Sequence, residues 1–332
     1  MLNKTIGILG GGSWATALIK LISDSETTNR INWFVRSSEN IESVKKHRRN
    51  KFYLSSVELN IDRISLCNNI NDVIQKSDVL IFAIPSAFIK NALSKNNFSL
   101  SDKYIISAVK GIIPDENLIF AEYFNQKYKV PINHIGIIAG PCHAEEIARE
   151  RLSYLTVASE NYDLADSIGK KLKTHYTKIN ISDDIYGTEY SAVLKNIFAL
   201  ASGICHGLGY GDNFLAVLVS NAIREIKRFV DTVHPITRDI KNSAYLGDLL
   251  VTAYSKFSRN RIFGTMIGKG YSVKAAQLEM KMIAEGYYAV KSIYEINKKY
   301  KIDMPITDAV YHILYEKKIP KEEILKLTDR LT

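Results

Sequence analysis

The chain has 332 residues, 46% of them hydrophobic and 24% charged, with 44 Lys and Arg against 35 Asp and Glu for a formal charge of +9. That composition suits a soluble protein of two domains; no apolar run reaches the roughly 18 residues needed to cross a bilayer, and Cys67, Cys142 and Cys205 are too few for a secreted disulfide framework. The positive charge raises nucleic-acid binding, but the basic residues are dispersed and the densest run, Lys45-Lys46-His47-Arg48-Arg49, has only Phe52 and Tyr53 beside it, so an anionic small molecule is the favoured partner.

In chain order, Ile6, Ile8 and Leu9 form a short apolar run bounded by glycines, the pattern of a buried parallel strand. Gly10, Gly12 and Ala15 then fill the G-x-G-x-x-G/A spacing ahead of a helix over 14–22. The first glycine permits a tight turn, the second lets the backbone approach a diphosphate, and the third small residue lets helix and strand pack closely. A second strand, Ile31 to Val35, completes a βαβ unit, so a dinucleotide is the expected ligand, although a glycine-rich turn without a ligand has the same spacing. An acid for the ribose 2′-hydroxyl is absent from the end of this strand. Arg36 stands there instead, followed by Ser37 and Ser38, which favours NADPH over NADH unless Arg36 is merely a solvated surface residue.

A polar segment from 39 to 64 follows, read as a helix and a crossover loop, with no secretory leader expected because Gly10 to Gly12 interrupt the apolar start. Strands are expected at 64–67, 79–84, 104–109, 135–139, 155–158 and 176–181, alternating with helices at 70–76, 88–93, 117–128, 144–149 and 164–172. From about Ile185 the pattern turns helical: 186–208, a helix through 213–233 with Asp212 as N-cap, then 246–255, 261–267, 285–300, 305–315 and 321 to the end. The expected fold is therefore an α/β Rossmann-type doubly wound domain over residues 1–184, followed by an all-α domain over 185–332, with the active site between them.

The long helix 186–208 has an apolar stripe at Leu194, Ile197, Phe198, Ala201, Ile204, Cys205 and Leu208. On its other side lie Thr188, Ser191, Ala192, Lys195, Ala199, Ser202 and His206. Lys195, with small neighbours one turn either side, suits a cleft where burial would lower its pKa and let it exchange a proton; a solvated surface lysine has the same spacing. Arg259 and Asn260 sit just before a helix start, where a guanidinium, an amide and free N–H groups make a phosphate site or simply a charged helix start.

Six blocks, in order, resemble the bacterial-type soluble NAD(P)-dependent glycerol-3-phosphate dehydrogenases. They are Gly10-Gly11-Gly12-Ser13-Trp14-Ala15-Thr16-Ala17, Val109-Lys110-Gly111, Gly140-Pro141-Cys142-His143-Ala144-Glu145-Glu146, Leu194-Lys195-Asn196-Ile197-Phe198-Ala199, Leu246-Gly247-Asp248-Leu249 and Ser258-Arg259-Asn260-Arg261. The likeness runs through Glu285-Gly286 and covers nearly the whole chain. It implies reversible reduction of dihydroxyacetone phosphate to sn-glycerol 3-phosphate by NADPH or NADH, with no metal, in the cytoplasm, supplying glycerol phosphate for phospholipid synthesis. Lys195 would carry the proton, Asp248 would hold Lys195 or the substrate hydroxyls unless it is a helix N-cap before Leu249, and Lys110 would touch both substrate and cofactor. Gly140, Cys142, Asn196, Thr252, Ser258, Arg259 and Asn260 would line the substrate pocket. Gly10, Gly12, Ser13, Trp14, Arg36, Tyr53, Ala144, Arg259, Ile283 and Glu285 would contact the cofactor.

Two positions depart from the family's pattern. Cys142 stands where Ser or Thr is usual, which removes a hydroxyl contact to substrate, and Tyr245 replaces a smaller residue, which narrows the pocket or repacks it. The rival enzyme reading, a 3-hydroxyacid-type dehydrogenase of the same superfamily, needs a polar partner where Ala199 stands. A dinucleotide-sensing binding protein would keep Gly10 to Ala15 but would not need Lys195, Asp248 and Arg259 together. A homodimer is the expected assembly, though one chain shows no interface, and neither nucleic acid nor membrane is an expected partner.

Overall fold

The computed structural model describes residues 4–25, 30–280 and 284–332. They form two compact units, one of residues 1–109 with 120–185 and the other of 110–119 with 186–332. Beside the division at 184/185 drawn from the sequence pattern, the short segment 110–119 groups with the helices.

The first unit is built on eight strands: β1 (Ile6–Leu9), β2 (Ile31–Phe34), β3 (Ile64–Cys67), β4 (Val79–Phe82), β5 (Tyr104–Ser107), β6 (Ile135–Ala139), β7 (Ser153–Ala158) and β8 (Thr177–Ser182). They lie in one sheet in the order β3-β2-β1-β4-β5-β6-β7-β8, and every neighbouring pair is parallel except β6 and β7. β1 and β4 are buried along their whole length, as continuous apolar runs in a sheet covered on both faces must be. Seven helices accompany the strands: α1 (Ser13–Asp24), α2 (Ser38–His47), α3 (Ile70–Gln75), α4 (Ser86–Leu93), α5 (Phe120–Tyr128), α6 (Ala144–Ala148) and α7 (Tyr162–Leu172).

β7 and β8 run opposite to the first six strands, the reversal falling between β6 and β7. The chain leaves β6 through Gly140, whose φ of +110° suits glycine, and an added Cβ there would fall 2.8 Å from the Tyr154 carbonyl. The five residues of α6 span only about 7.5 Å, about half the length of β6, so this helix cannot return the chain to the start of the sheet for a parallel strand.

The second unit holds α8 (Ile185–Gly207), α9 (Asp212–Val233), α10 (Asp248–Tyr254), α11 (Arg259–Gly268), α12 (Val273–Glu279), α13 (Glu285–Tyr300), α14 (Pro305–Tyr315) and α15 (Pro320–Thr328). α8 is its axis. From Thr188 to Cys205 every residue of it is buried, so the side expected to face a cleft is as covered as the apolar stripe. α11 crosses it backbone to backbone: a Cβ on Gly203 would sit 2.1 Å from the Arg261 carbonyl, and one on Gly264 would sit 2.2 Å from the Leu200 carbonyl. Gly207 and Gly268 make the same close approach one turn further on.

Some expectations move. Gly211, not Asp212, is the N-cap of α9, since Asp212 already lies in the first turn and no side chain caps the helix. α5 starts at Phe120 rather than Asn117, because Asn117 has φ +52° and Ile113 pairs with Leu118 in an isolated bridge. α12 was not legible in the sequence.

Glu225 is fully buried, and its carboxylate accepts from the Ile306 and Thr307 N–H groups and the Thr307 hydroxyl, so it caps the start of α14 from α9. Burial outweighs those three bonds and pushes its pKa from 4.5 up to about 7. The folded chain therefore keeps this proton where the unfolded chain releases it. Denaturant titrations should find that Glu225 stabilises most below pH 4.5 and that its contribution falls by about 3 kcal/mol as pH rises to 7, a slope absent from Glu225→Gln. At the α8–α11 crossing, Gly264→Ala should destabilise the protein by about 3 kcal/mol or more, whereas Gly211→Ala, whose Cβ meets nothing within 4 Å, should cost about 1 kcal/mol at most.

Candidate functional site

Two groups of side chains stand out, one in each unit. In the first unit the chain leaves β1 at Gly10, with φ +137° and an added Cβ only 2.5 Å from the Ala83 carbonyl, so only glycine fits. Gly12 is the N-cap of α1; no side chain caps the helix, no acid lies in its first turn, and a Cβ on Gly12 would meet nothing within 4 Å. The positive end of a twelve-residue helix is thus left without a side-chain cap or an acid, which is the form of a diphosphate site.

Each of the three glycine carbonyls is held by a side chain. Trp33 Nε1 donates to Gly10 O at 2.7 Å, Asn50 Nδ2 to Gly11 O at 3.1 Å, and Thr16 Oγ1 to Gly12 O at 2.9 Å. Ser13 and Trp14 begin α1 and are half-buried, and Arg36 is exposed just past β2. Tyr53 is half-buried, and its N–H donates to Asn50 Oδ1 at 3.2 Å. At the end of β6, Ala144 opens α6, and the Cys142 thiol donates to the Gly140 carbonyl at 3.1 Å. The Cys142 thiol thus closes its own turn.

In the second unit Asp248 is the centre. It is 1% exposed, and its carboxylate pairs with Lys195 through Oδ1 and approaches Lys110 Nζ at 3.5 Å through Oδ2. Lys195 is itself only 3% exposed, which overturns its reading as a solvated surface lysine. Asp248 is not a helix N-cap either. It follows a π-helical turn over 243–247, a widened turn of the kind that recurs at functional sites, and no side chain caps α10. Tyr245 in that turn is buried in the helical core.

Around the triad the other expected residues take specific places. Asn196 Nδ2 donates to the Lys110 carbonyl at 2.7 Å, tying the segment that bears Lys110 to α8. The Thr252 hydroxyl donates to the Asp248 carbonyl at 2.6 Å, bracing α10. Ser258 is the N-cap of α11 and accepts from the Arg261 N–H at 3.3 Å, so that helix begins two residues earlier than expected. Arg259 is then the first residue of α11 and is exposed, while buried Asn260 accepts from the Gly286 N–H at 2.9 Å. Gly286 lies against α8, where a Cβ would fall 2.6 Å from the Asn196 carbonyl. Glu285 starts α13, and Ile283 lies outside the described residues.

Lys110, Lys195, Asn196, Asp248, Thr252 and Asn260 are therefore linked through direct contacts and one shared glycine. Cys205 is fully buried with its thiol pushed up to about 12 by burial, a core residue and no nucleophile. Among the described residues, no group of three or more His, Cys, Asp or Glu side chains comes together to hold a metal, and no helix is long and apolar enough to cross a membrane. Sequence reasoning assigned no role to Trp33, Thr16 and Asn50, whose part is to hold the three glycine carbonyls.

Residues 5–165 match the family model described as NAD-dependent glycerol-3-phosphate dehydrogenase N-terminus, and 184–325 match its C-terminus counterpart. A glycerol-3-phosphate dehydrogenase (NAD(P)+) of Clostridium botulinum is 33% identical over 97% of this chain and 96% of its own length. One from Bacillus pumilus is 33% identical over 99% and 95%. The crystal structure of glycerol-3-phosphate dehydrogenase from Coxiella burnetii superposes with a TM-score of 0.89, 25% identity and 99% of both chains covered.

Burying the charges of Lys195 and Asp248, with half-buried Lys110 beside them, costs several kcal/mol per buried ion unless they stay together. Asp248→Ala should therefore lower unfolding free energy by about 3–5 kcal/mol, because it leaves two lysines without their anion. The double variant Lys195→Met with Asp248→Leu should lose less than the sum of the single changes, which a double-mutant cycle by urea denaturation would measure.

Proposed function

This chain belongs to the NAD-dependent glycerol-3-phosphate dehydrogenase family, and we propose that it reduces dihydroxyacetone phosphate reversibly to sn-glycerol 3-phosphate, supplying glycerol phosphate for phospholipid synthesis. The observation that carries the reading is the buried carboxylate of Asp248 with Lys195 on one oxygen and Lys110 near the other. A sensor of dinucleotides has no use for such a group. A carbonyl reductase needs one, because the substrate oxygen must gain a proton as its carbon is reduced.

The glycine turn, the uncapped start of α1 and Arg36 would hold the dinucleotide, whose part in the chemistry when bound is to supply the hydride. Lys195 then gives a proton from Nζ to the ketone oxygen, breaking an N–H bond as the O–H bond of glycerol phosphate forms; the reverse direction returns that proton to Nζ. Asp248 fixes the position of Lys195 and balances its charge. Lys110, anchored through its carbonyl by Asn196, adds a second positive charge beside the developing oxyanion. Asn196 is thus better read as the anchor of Lys110 than as a substrate ligand.

Arg259 and the first-turn N–H groups of α11 would take the phosphate, with Ser258 capping that turn and Asn260 fixing Gly286. Gly140 and Cys142 would meet the substrate through the β6–α6 turn, and Ser13, Trp14, Tyr53, Ala144, Ile283 and Glu285 would meet the cofactor. Exposed Arg36 past the end of β2 favours NADPH through its 2′-phosphate. A cytoplasmic homodimer without nucleic-acid or membrane partners completes the reading.

Lys195→Ala should lose about 10²–10⁴-fold in turnover while its dinucleotide affinity stays within about 2-fold of the parent, measured by nicotinamide fluorescence. Unchanged turnover would remove Lys195 from the chemistry. Arg36→Asp should reverse the NADPH-to-NADH preference in kcat/KM by about 10-fold or more, and an unchanged ratio would free Arg36 of that role.

A further inference from the structure

We propose that Asn50 is a positioning residue for the dinucleotide site, holding the glycine turn in its anion-binding form and docking Tyr53 onto it. The proposal rests on reading that turn as the cofactor site. Asn50 is fully buried, although its neighbours Arg49, Lys51 and Phe52 are exposed, so the chain turns one amide inward from an otherwise solvated basic segment. A buried amide must satisfy both of its ends, and this one does. Its Nδ2 donates to the Gly11 carbonyl at 3.1 Å and to Thr16 Oγ1 at 2.7 Å, while its Oδ1 accepts from the Phe52 and Tyr53 N–H groups at 3.2 Å each.

The consequence follows from peptide planarity. In a trans peptide the carbonyl and the following N–H point to opposite sides. With Gly10 O drawn to Trp33, Gly11 O to Asn50 and Gly12 O to Thr16, the N–H groups of Gly11, Gly12 and Ser13 are turned away from those three side chains. Asn50 is the hub of this arrangement, because it holds one carbonyl directly and also donates to the Thr16 hydroxyl that holds the next. A glycine turn without these clamps is free to rotate its peptides, and each rotated peptide presents a carbonyl instead of an N–H to an anion. The same side chain fixes the backbone of Tyr53, so one residue sets the turn and the segment beside it.

Asn50→Asp keeps the shape and both acceptor bonds but loses the donor, and sets a carboxylate against the Gly11 carbonyl. Thr16→Val removes the hydroxyl that accepts from Asn50 and donates to the Gly12 carbonyl, while the Asn50–Gly11 bond and the Thr16 N–H bond to Gly12 stay in place. Titration of the full-length apoprotein with NADPH and with NADH, followed by nicotinamide fluorescence, should give a dissociation constant raised about 10-fold or more for each variant. KM for the cofactor should rise in step, with kcat and KM for dihydroxyacetone phosphate within about 2-fold of the parent. Asn50→Asp should also regain affinity as pH falls and its carboxyl takes up a proton, which restores a donor; Thr16→Val should not. Unchanged affinity in both variants, or a lowered melting temperature with no change in affinity, overturns the assignment. A parent protein that binds dinucleotide but fails to reduce dihydroxyacetone phosphate contradicts the proposed reaction and leaves the role of Asn50 standing.

Discussion

A carboxylate as buried as that of Asp248 survives ionised only beside positive charge, and the helical unit is arranged to supply it twice. Lys195 comes from the middle of α8 and Lys110 from the segment 110–119, while Asp248 itself follows the π-helical turn ahead of α10. Neither Lys195 nor Asp248 can leave without weakening or removing the partner of a charge buried where an unpaired one costs several kcal/mol. The arrangement is therefore held by its own electrostatics, and it fixes a lysine ammonium in a buried position.

The helices around the triad are shaped to bring its parts close. Glycines at 203, 207, 264 and 268 let α8 and α11 touch backbone to backbone, and Gly286 lets the start of α13 do the same at Asn196. The amides of Asn196 and Asn260 then use the gained proximity, one holding the Lys110 carbonyl and the other the Gly286 N–H. A Cβ at any of these glycines would fall 2.1–2.6 Å from a facing carbonyl, so the elements would have to move apart. In the first unit the same economy appears at the glycine turn, where three side chains hold three successive carbonyls.

Much of this was legible in the sequence. Apolar runs of four to six residues bounded by glycine or proline marked strands, and the glycine spacing marked the turn before α1, because buried parallel strands and tight turns leave local signatures. The antiparallel direction of β7 was not legible, since it depends on the short reach of α6 and the turn at Gly140. Lys195 was ambiguous for a related reason. Helical spacing places it opposite the apolar stripe but cannot say whether that side meets water or other helices, and only the assembled fold shows α8 covered all round from Thr188 to Cys205. Asn50 left no trace, because the groups its amide nitrogen reaches, the Gly11 carbonyl and the Thr16 hydroxyl, lie more than thirty residues away and a lone polar residue in a basic segment reads as solvated.

The central claim is that a buried lysine protonates the ketone of a phosphorylated three-carbon substrate while the start of α11 holds its phosphate. The most direct test follows NADPH consumption with dihydroxyacetone phosphate and, under the same conditions, with unphosphorylated dihydroxyacetone. The account predicts turnover with the first and a kcat/KM lower by about 10³-fold or more with the second, as expected when a charge-assisted phosphate site loses its ligand. Equal rates with both substrates, or oxidation of neither while the dinucleotide still binds, would contradict it.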